Sequence, residues 1–255
     1  MTLLRPLITF LGFLAVWWAL TRAAALPAFM LPAPADVAQA LWQQRDLLFW
    51  NALTTLTEIL LGLLFGTLFG GLSAIAIVAS PVLQRWLMPV LVLSQAIPVF
   101  ALAPLLVLWL GFGITSKVVM AVLVIFFPVT ANFADGLRRT DPGWLDLART
   151  MNASPWAMLC HVRLPAALPA FASGLRVATA VAPIGAIIGE WVGASSGLGF
   201  VMINANARIE TNVMFAALFI LAVMAIVLYV LVDRALRYLL RWSPDSTGLG
   251  YGSMW

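Results

Sequence analysis

The chain has 255 residues, 63% of them hydrophobic and only 9% charged, with a mean hydropathy of +1.03. Such a composition excludes a soluble globular domain, and the length suits one membrane domain. A single cysteine, Cys160, excludes an internal disulfide and argues against a cysteine metal cluster. The formal charge of +4 is no nucleic-acid signature, because the basic residues flank apolar stretches where membrane orientation accounts for them.

Taken in order, the chain reads as an all-α integral membrane protein with six spans, approximately 3–26, 51–79, 86–110, 118–137, 166–189 and 213–239. The first competes with a signal-peptide reading, in which Arg5 and an apolar core precede Ala23-Ala24-Ala25. Two tryptophans in the apolar stretch and a basic residue after it favour the span. Leu31–Asp36 predicts a turn, followed by a capped amphipathic helix to about Asp46 at the membrane interface. In the second span Gly62, Gly66, Gly70 and Gly71 form a small-residue stripe for close packing, and Glu58 is the lone charge. The third is broken by Pro89, Pro98 and Pro104, so it should be buried or line a pathway. After span five, 190–212 is polar and glycine-rich, and span six follows. Residues 1–242 form one permease-like domain, and the tail 243–255 reads as disordered.

Between spans four and five lies the polar island Arg138–Pro165. It holds four of the 14 basic residues, the only histidine and the only cysteine. Asp141-Pro142 is a cap-plus-proline helix start. Trp144, Leu147, Ala148 and Met151 then fall on one helical face, with Asp146, Arg149 and Thr150 elsewhere. Asn152 can end that helix by tolerating a left-handed backbone. Ser154-Pro155 starts a second helix running to Leu164, and Pro165 forbids a regular helix through it. With the N-terminus inside, ten of the 14 Lys and Arg side chains fall on the inner side, with Arg176 counted at the inner end of span five. The island then lies in the cytoplasm.

Asp146-Leu147-Ala148, Asn152 and Val162-Arg163-Leu164-Pro165 resemble the EAA loop of bacterial ABC importer permeases: Glu-Ala-Ala, three residues, Gly, nine residues, Ile-x-Leu-Pro. The spacing matches throughout. Asp146 stands for Glu, Leu147 for Ala, Asn152 for Gly and Val162 for Ile. The resemblance extends over nearly the whole chain. LPAPADVAQAL, SQAIPVFALAPLLVLWLGFG, FFPVTANFADGLRRTDPGWLDLARTM, HVRLPAALPAFASGLR and IGAIIGEWVGASSGLG look like permeases of the aliphatic sulfonate, taurine, nitrate and thiamine-precursor group. The wording is most similar to importers of the pyrimidine precursor of thiamine.

The resemblance implies a homodimer in the bacterial inner membrane with both termini cytoplasmic. It further implies two cytoplasmic ATPase subunits that carry ATP and Mg, and an extracytoplasmic binding protein. No cofactor belongs to this chain. The loop would be a coupling helix in a groove of the ATPase, with Trp144, Leu147, Ala148 and Met151 facing the groove and Asp146 and Arg149 making polar contacts. Asn152, Val162, Leu164 and Pro165 complete the motif. Charge at Ala148 is expected to abolish ATPase association.

No P-loop, HExxH or Cys/His cluster occurs. The chain is not expected to be an enzyme, and His161 reads as a polar residue on the second island helix. Polar residues within spans carry two readings each. Glu58 is as readily a helix contact as a pathway residue. Ser94 and Gln95 favour substrate contact over interhelical glue. Asn132, with Asp135, reads more readily as an interface anchor than as a pathway residue. Arg176 reads as a snorkelling or ion-paired residue. Glu190 could pair with Arg208, and Trp191 reads as an interface anchor. A solitary channel or secondary carrier, and a membrane enzyme, are rivals; the chain shows no paired broken repeats of the kind carriers carry.

Overall fold

In a chain so apolar, backbone N–H and C=O groups must be satisfied within each segment, which favours helices. A computed structural model describes residues 4–23, 27, 29–94 and 97–243, and every regular element among them is helical. The elements are α1 (Leu4–Ala23), α2 (Pro34–Gln43), α3 (Arg45–Ala79), α4 (Pro81–Ser94), α5 (Val99–Leu110), α6 (Ile114–Arg138), α7 (Pro142–Thr150), α8 (Pro155–Met158), a π-turn (Leu159–Arg163), α9 (Leu164–Trp191), α10 (Leu198–Ala207) and α11 (Thr211–Leu239). Four continuous helical stretches, Arg45–Ala79, Ile114–Arg138, Pro155–Trp191 and Thr211–Leu239, are long and apolar enough to cross a membrane.

Three sequence expectations are corrected. The third span is two helices, α4 and α5, separated at 95–98; only Pro98 marks the break, while Pro89 and Pro104 lie inside helices. The fifth span does not restart at Pro165. The Leu164 N–H donates to the Leu159 carbonyl, one residue beyond α-helical spacing. That wider turn accommodates the proline ring, which would clash with a carbonyl in a regular turn. Finally, the polar stretch after span five contains α10, with Leu198, Val201 and Ala205 in a hydrophobic core. The expected disordered tail falls, beyond Ser243, outside the described residues.

The chain divides into two compact units. The first comprises Met1–Leu64, Pro98–Val124 and Ala182–Ile226. Its main core joins Val37 and Ala40 of α2, Leu48 of α3, Ile187 of α9, α10, and Val213, Ala216 and Ala217 of α11. Trp17 Nε1 donates to the Pro32 carbonyl at 3.1 Å, and Thr211 Oγ1 to that of Phe29 at 2.8 Å, so α1 and α11 hold the segment before α2. The α6–α9 contact in this unit depends on glycine. A Cβ at Gly185 would lie 2.8 Å from Ala121 Cα, and one at Gly189 3.0 Å from Lys117 Cα.

The second unit comprises Phe65–Ile97, Ile125–Val181 and Val227–Trp255. Ala74 of α3, Phe133, Ala134 and Leu137 of α6, Leu159 and Ala167 form its core. Gly70, from the predicted stripe, packs on α6 so closely that a Cβ would sit 3.0 Å from Val129. Arg176 is the expected ion-pair residue: its Nε donates to Asp233 Oδ1 at 2.7 Å, and Arg237 holds the other oxygen at 2.9 Å.

Candidate functional site

The polar island folds largely as its residues dictate. Asp141 Oδ1 accepts the Gly143 N–H at 2.7 Å and starts α7. Asn152 adopts a φ of +61°, ending the first island helix in the left-handed region. Ser154 Oγ accepts the Ala157 N–H at 3.2 Å and starts α8, which passes through the π-turn into α9 without a break. The island's second half is therefore rigidly continuous with a long apolar helix.

On α7, Trp144, Leu147 and Met151 stand out from the unit, Leu147 at 61% and Met151 at 74% exposure. Ala148, expected on the same outward face, is 8% exposed and turned into the unit. The reason is helical geometry: 148 lies 100° from 147, and its methyl group is small enough to pack under the helix. A cavity of about 460 Å³ opens beside this face, lined by Trp144, Leu147, Ala148, Met151, His161, Val162, Pro165 and Trp242 among others. Arg149 Nη1 donates to Asp146 Oδ1 at 2.6 Å, an exposed pair one helical turn apart. Leu164 is half-buried and packs against the core of the second unit. His161 is exposed, with Nδ1 3.1 Å from the Ala157 carbonyl.

Gln95 lies outside the described residues, and Ser94 ends α4. Asn132 Nδ2 donates to the Pro128 carbonyl of its own helix at 2.8 Å, and its Cβ faces the close approach of Gly174. Glu58 is 1% exposed.

The first unit holds a buried polar network, centred on Glu190, that sequence reasoning missed. Glu190 is also 1% exposed. Its Oε1 accepts from the Thr55 hydroxyl at 2.6 Å, and its Oε2 accepts the Gly199 N–H. Thr55 Oγ1 accepts the Leu198 N–H at 2.8 Å, and Asn51 Oδ1 accepts the Gly197 N–H at 2.7 Å. The expected Glu190–Arg208 pair is thus replaced: burial at the start of α10 leaves the Glu190 carboxyl group to one hydroxyl and one backbone N–H, while Arg208 is exposed. Buried Lys117 donates to the Phe112 and Gly113 carbonyls at 2.8 and 3.0 Å. One signal was legible. Asn51, Thr55 and Glu58 recur at helical spacing on one side of an otherwise apolar helix.

A helical protein with an exposed, capped island between long apolar helices has the form expected of a transport subunit, and comparison with known proteins agrees. Residues 59–243 match the model of the binding-protein-dependent transport system inner membrane component family. A probable ABC transporter permease protein of Haemophilus influenzae is 53% identical over 241 residues, covering 94% of this chain and 98% of that protein. The formylaminopyrimidine transport permease protein ThiX of Halalkalibacterium halodurans is 35% identical over 240 residues, covering 94% of this chain and 96% of that one. Among solved structures, the inward-facing MetNI methionine ABC transporter includes a chain of the same fold, with a TM-score of 0.68 and 21% identity, covering 77% of this chain and 98% of that one. The chain belongs to the binding-protein-dependent ABC transporter permeases, membrane components that carry solute and leave ATP hydrolysis to a partner subunit.

Proposed function

We propose that two copies of this chain form the membrane pathway of an importer that admits a small solute, a pyrimidine precursor of thiamine, into the cytoplasm. Six spans cross the bacterial inner membrane, with both termini cytoplasmic, as the distribution of basic residues favours. Two ATPase subunits bind the inner face, where ATP and Mg act, and a solute-binding protein delivers cargo outside. The observation that carries this reading is the coupling island. Trp144, Leu147 and Met151 are unburied apolar side chains on a helix capped by Asp141, beside the Asp146–Arg149 pair. Exposed aromatic and apolar anchors with a polar surround suit a protein partner.

Closure of the ATPase dimer moves the island. Because α8 continues into α9, that movement reaches the membrane helix directly, and the pathway opens to the outside; hydrolysis resets it. Asn152 supplies the tight reversal between the two island helices, and Val162, Leu164 and Pro165 seat the second one. Ser94 and Gln95 remain our choice for solute contact. The choice of pyrimidine is supported by the 35% identity to the formylaminopyrimidine permease.

Purification from native membranes under mild solubilisation tests the reading. An ATPase and a binding protein should accompany the chain. The binding protein should bind formylaminopyrimidine or hydroxymethylpyrimidine more tightly than taurine, other sulfonates, nitrate or a flavin. Preference for a sulfonate or nitrate would reassign the substrate. Recovery of the chain alone, under conditions that preserve a control importer, would favour a solitary carrier.

A further inference from the structure

The cavity beside α7 takes its walls from three places in the chain. Trp144, Leu147 and Met151 come from the island, Pro165 from the first turn of α9, and Trp242 and Ser243 from the turn that follows α11. Among its lining residues only His161 can carry a charge. Trp144, Leu147, Met151 and Trp242 are each more than half exposed. A contiguous apolar patch of this kind, on a surface expected to meet water, marks a place where something binds.

The chain itself supplies an occupant. The Ser243 N–H donates to the Leu240 carbonyl at 3.0 Å, and this turn brings the chain out of α11 on the wall of the groove. The sequence continues through 244–255 as Pro-Asp-Ser-Thr-Gly-Leu-Gly-Tyr-Gly-Ser-Met-Trp. Fully extended, such a length reaches about 40 Å, far beyond the width of a 460 Å³ cavity. Its one charge, Asp245, lies next to the exit, and residues 246–255 are uncharged. Segments that stay in water are poor in aromatic residues, yet this one carries Leu249, Tyr251, Met254 and Trp255. In an extended conformation Leu249 and Tyr251 would point to one side, and Gly248, Gly250 and Gly252 add no side chain to hold the backbone off a wall. An uncharged segment with apolar anchors therefore leaves the fold at the edge of an uncharged apolar groove.

We propose that residues 244–255 dock in this groove through Leu249, Tyr251 and Trp255, and cover the outward face of α7 until the ATPase displaces them. The inference rests on the coupling reading above, which gives the same α7 side chains to the ATPase. Tethering holds the segment at an effective concentration of about 1 mM, so contacts too weak to retain a free peptide still compete. A permease without its ATPase thus keeps its apolar anchors covered, and assembly uncovers them.

The test uses the full chain in detergent, with a photo-cross-linking phenylalanine analogue in place of Tyr251, alone and with the ATPase that co-purifies from native membranes. Cross-links should fall within residues 144–169 of the same polypeptide and should fade as the ATPase is added. In parallel, ATPase binding is titrated against the original chain and one shortened after Ser243. Shortening should tighten binding about fivefold, the triple variant Leu249→Ser, Tyr251→Ser, Trp255→Ser should match it, and Ser246→Ala should stay within about twofold of the original. A synthetic peptide of residues 244–255, added at about 1 mM to the shortened chain, should restore the weaker binding. Absence of cross-links to 144–169, or cross-links to a second copy alone, would overturn the inference. So would equal ATPase affinity of the original and shortened chains. Should the shortened chain not accumulate, the triple variant keeps the full length and is held to the same outcomes. An ATPase that binds neither form, or none recovered at all, refutes the importer reading and this inference with it, whereas equal binding to both forms refutes the inference alone.

Discussion

The two polar regions of this apolar chain are built on opposite plans. In the first unit, the side chains around α10 are buried and spend their hydrogen bonds on backbone N–H groups of the same chain. In the second unit, the island keeps its charges exposed and turns large apolar side chains outward. A polar residue in the first region stabilises the fold because its partners cannot find water. One in the second is worth little to the fold, because water replaces its partner at small cost. Each region should therefore respond to a different measurement.

The largest effect is expected at the glycine seam. Gly185→Leu would drive a side chain into the α6 backbone at Ala121 and should cost roughly 3 kcal/mol, at the upper end for overpacking, seen as a lower thermal midpoint in detergent. Glu190→Ala should come next, at about 2 kcal/mol, because the Gly199 N–H and the Thr55 hydroxyl lose a buried partner. If unfolding shows less than ~0.5 kcal/mol for Glu190→Ala, the network is hydrated and the contrast between the regions fails.

Asn152→Ala should cost about 1 kcal/mol, since alanine resists the left-handed backbone, whereas Asn152→Gly should be neutral. Met151→Glu should change stability by no more than ~0.5 kcal/mol while reducing ATPase co-purification about tenfold, the loss expected of an interface anchor. It is a sharper probe than charge at Ala148, where burial would confound association with packing. Smallest of all, Arg149→Ala breaks an exposed pair within one helix and should shift stability by only a few tenths of a kcal/mol.

The island was legible because its signals are local. Asp141-Pro142, Asn152 and Ser154-Pro155 each act on backbone within a few residues, so their order along the chain already contains the two-helix turn. Glu190 was misread for the opposite reason. Its partners are Thr55, 135 residues away, and a backbone N–H that carries no side-chain signature. The glycines of α9 were likewise passed over in favour of the stripe on α3, because a small residue reveals its purpose only when the helix opposite is known.

What the sequence by itself determined is the membrane character, the helical class, the island with its caps and the family resemblance, all of which depend on composition, short-range periodicity or fixed spacing. Tertiary structure alone decided that Pro165 is absorbed in a π-turn, that Ala148 faces inward, that α10 exists as a buried helix and that Asn51, Thr55 and Glu190 meet at its start. The physical reason is range. Propensity, capping and hydropathy act between neighbours in the chain, whereas burial and the satisfaction of polar groups are settled by whichever distant helix folding brings alongside.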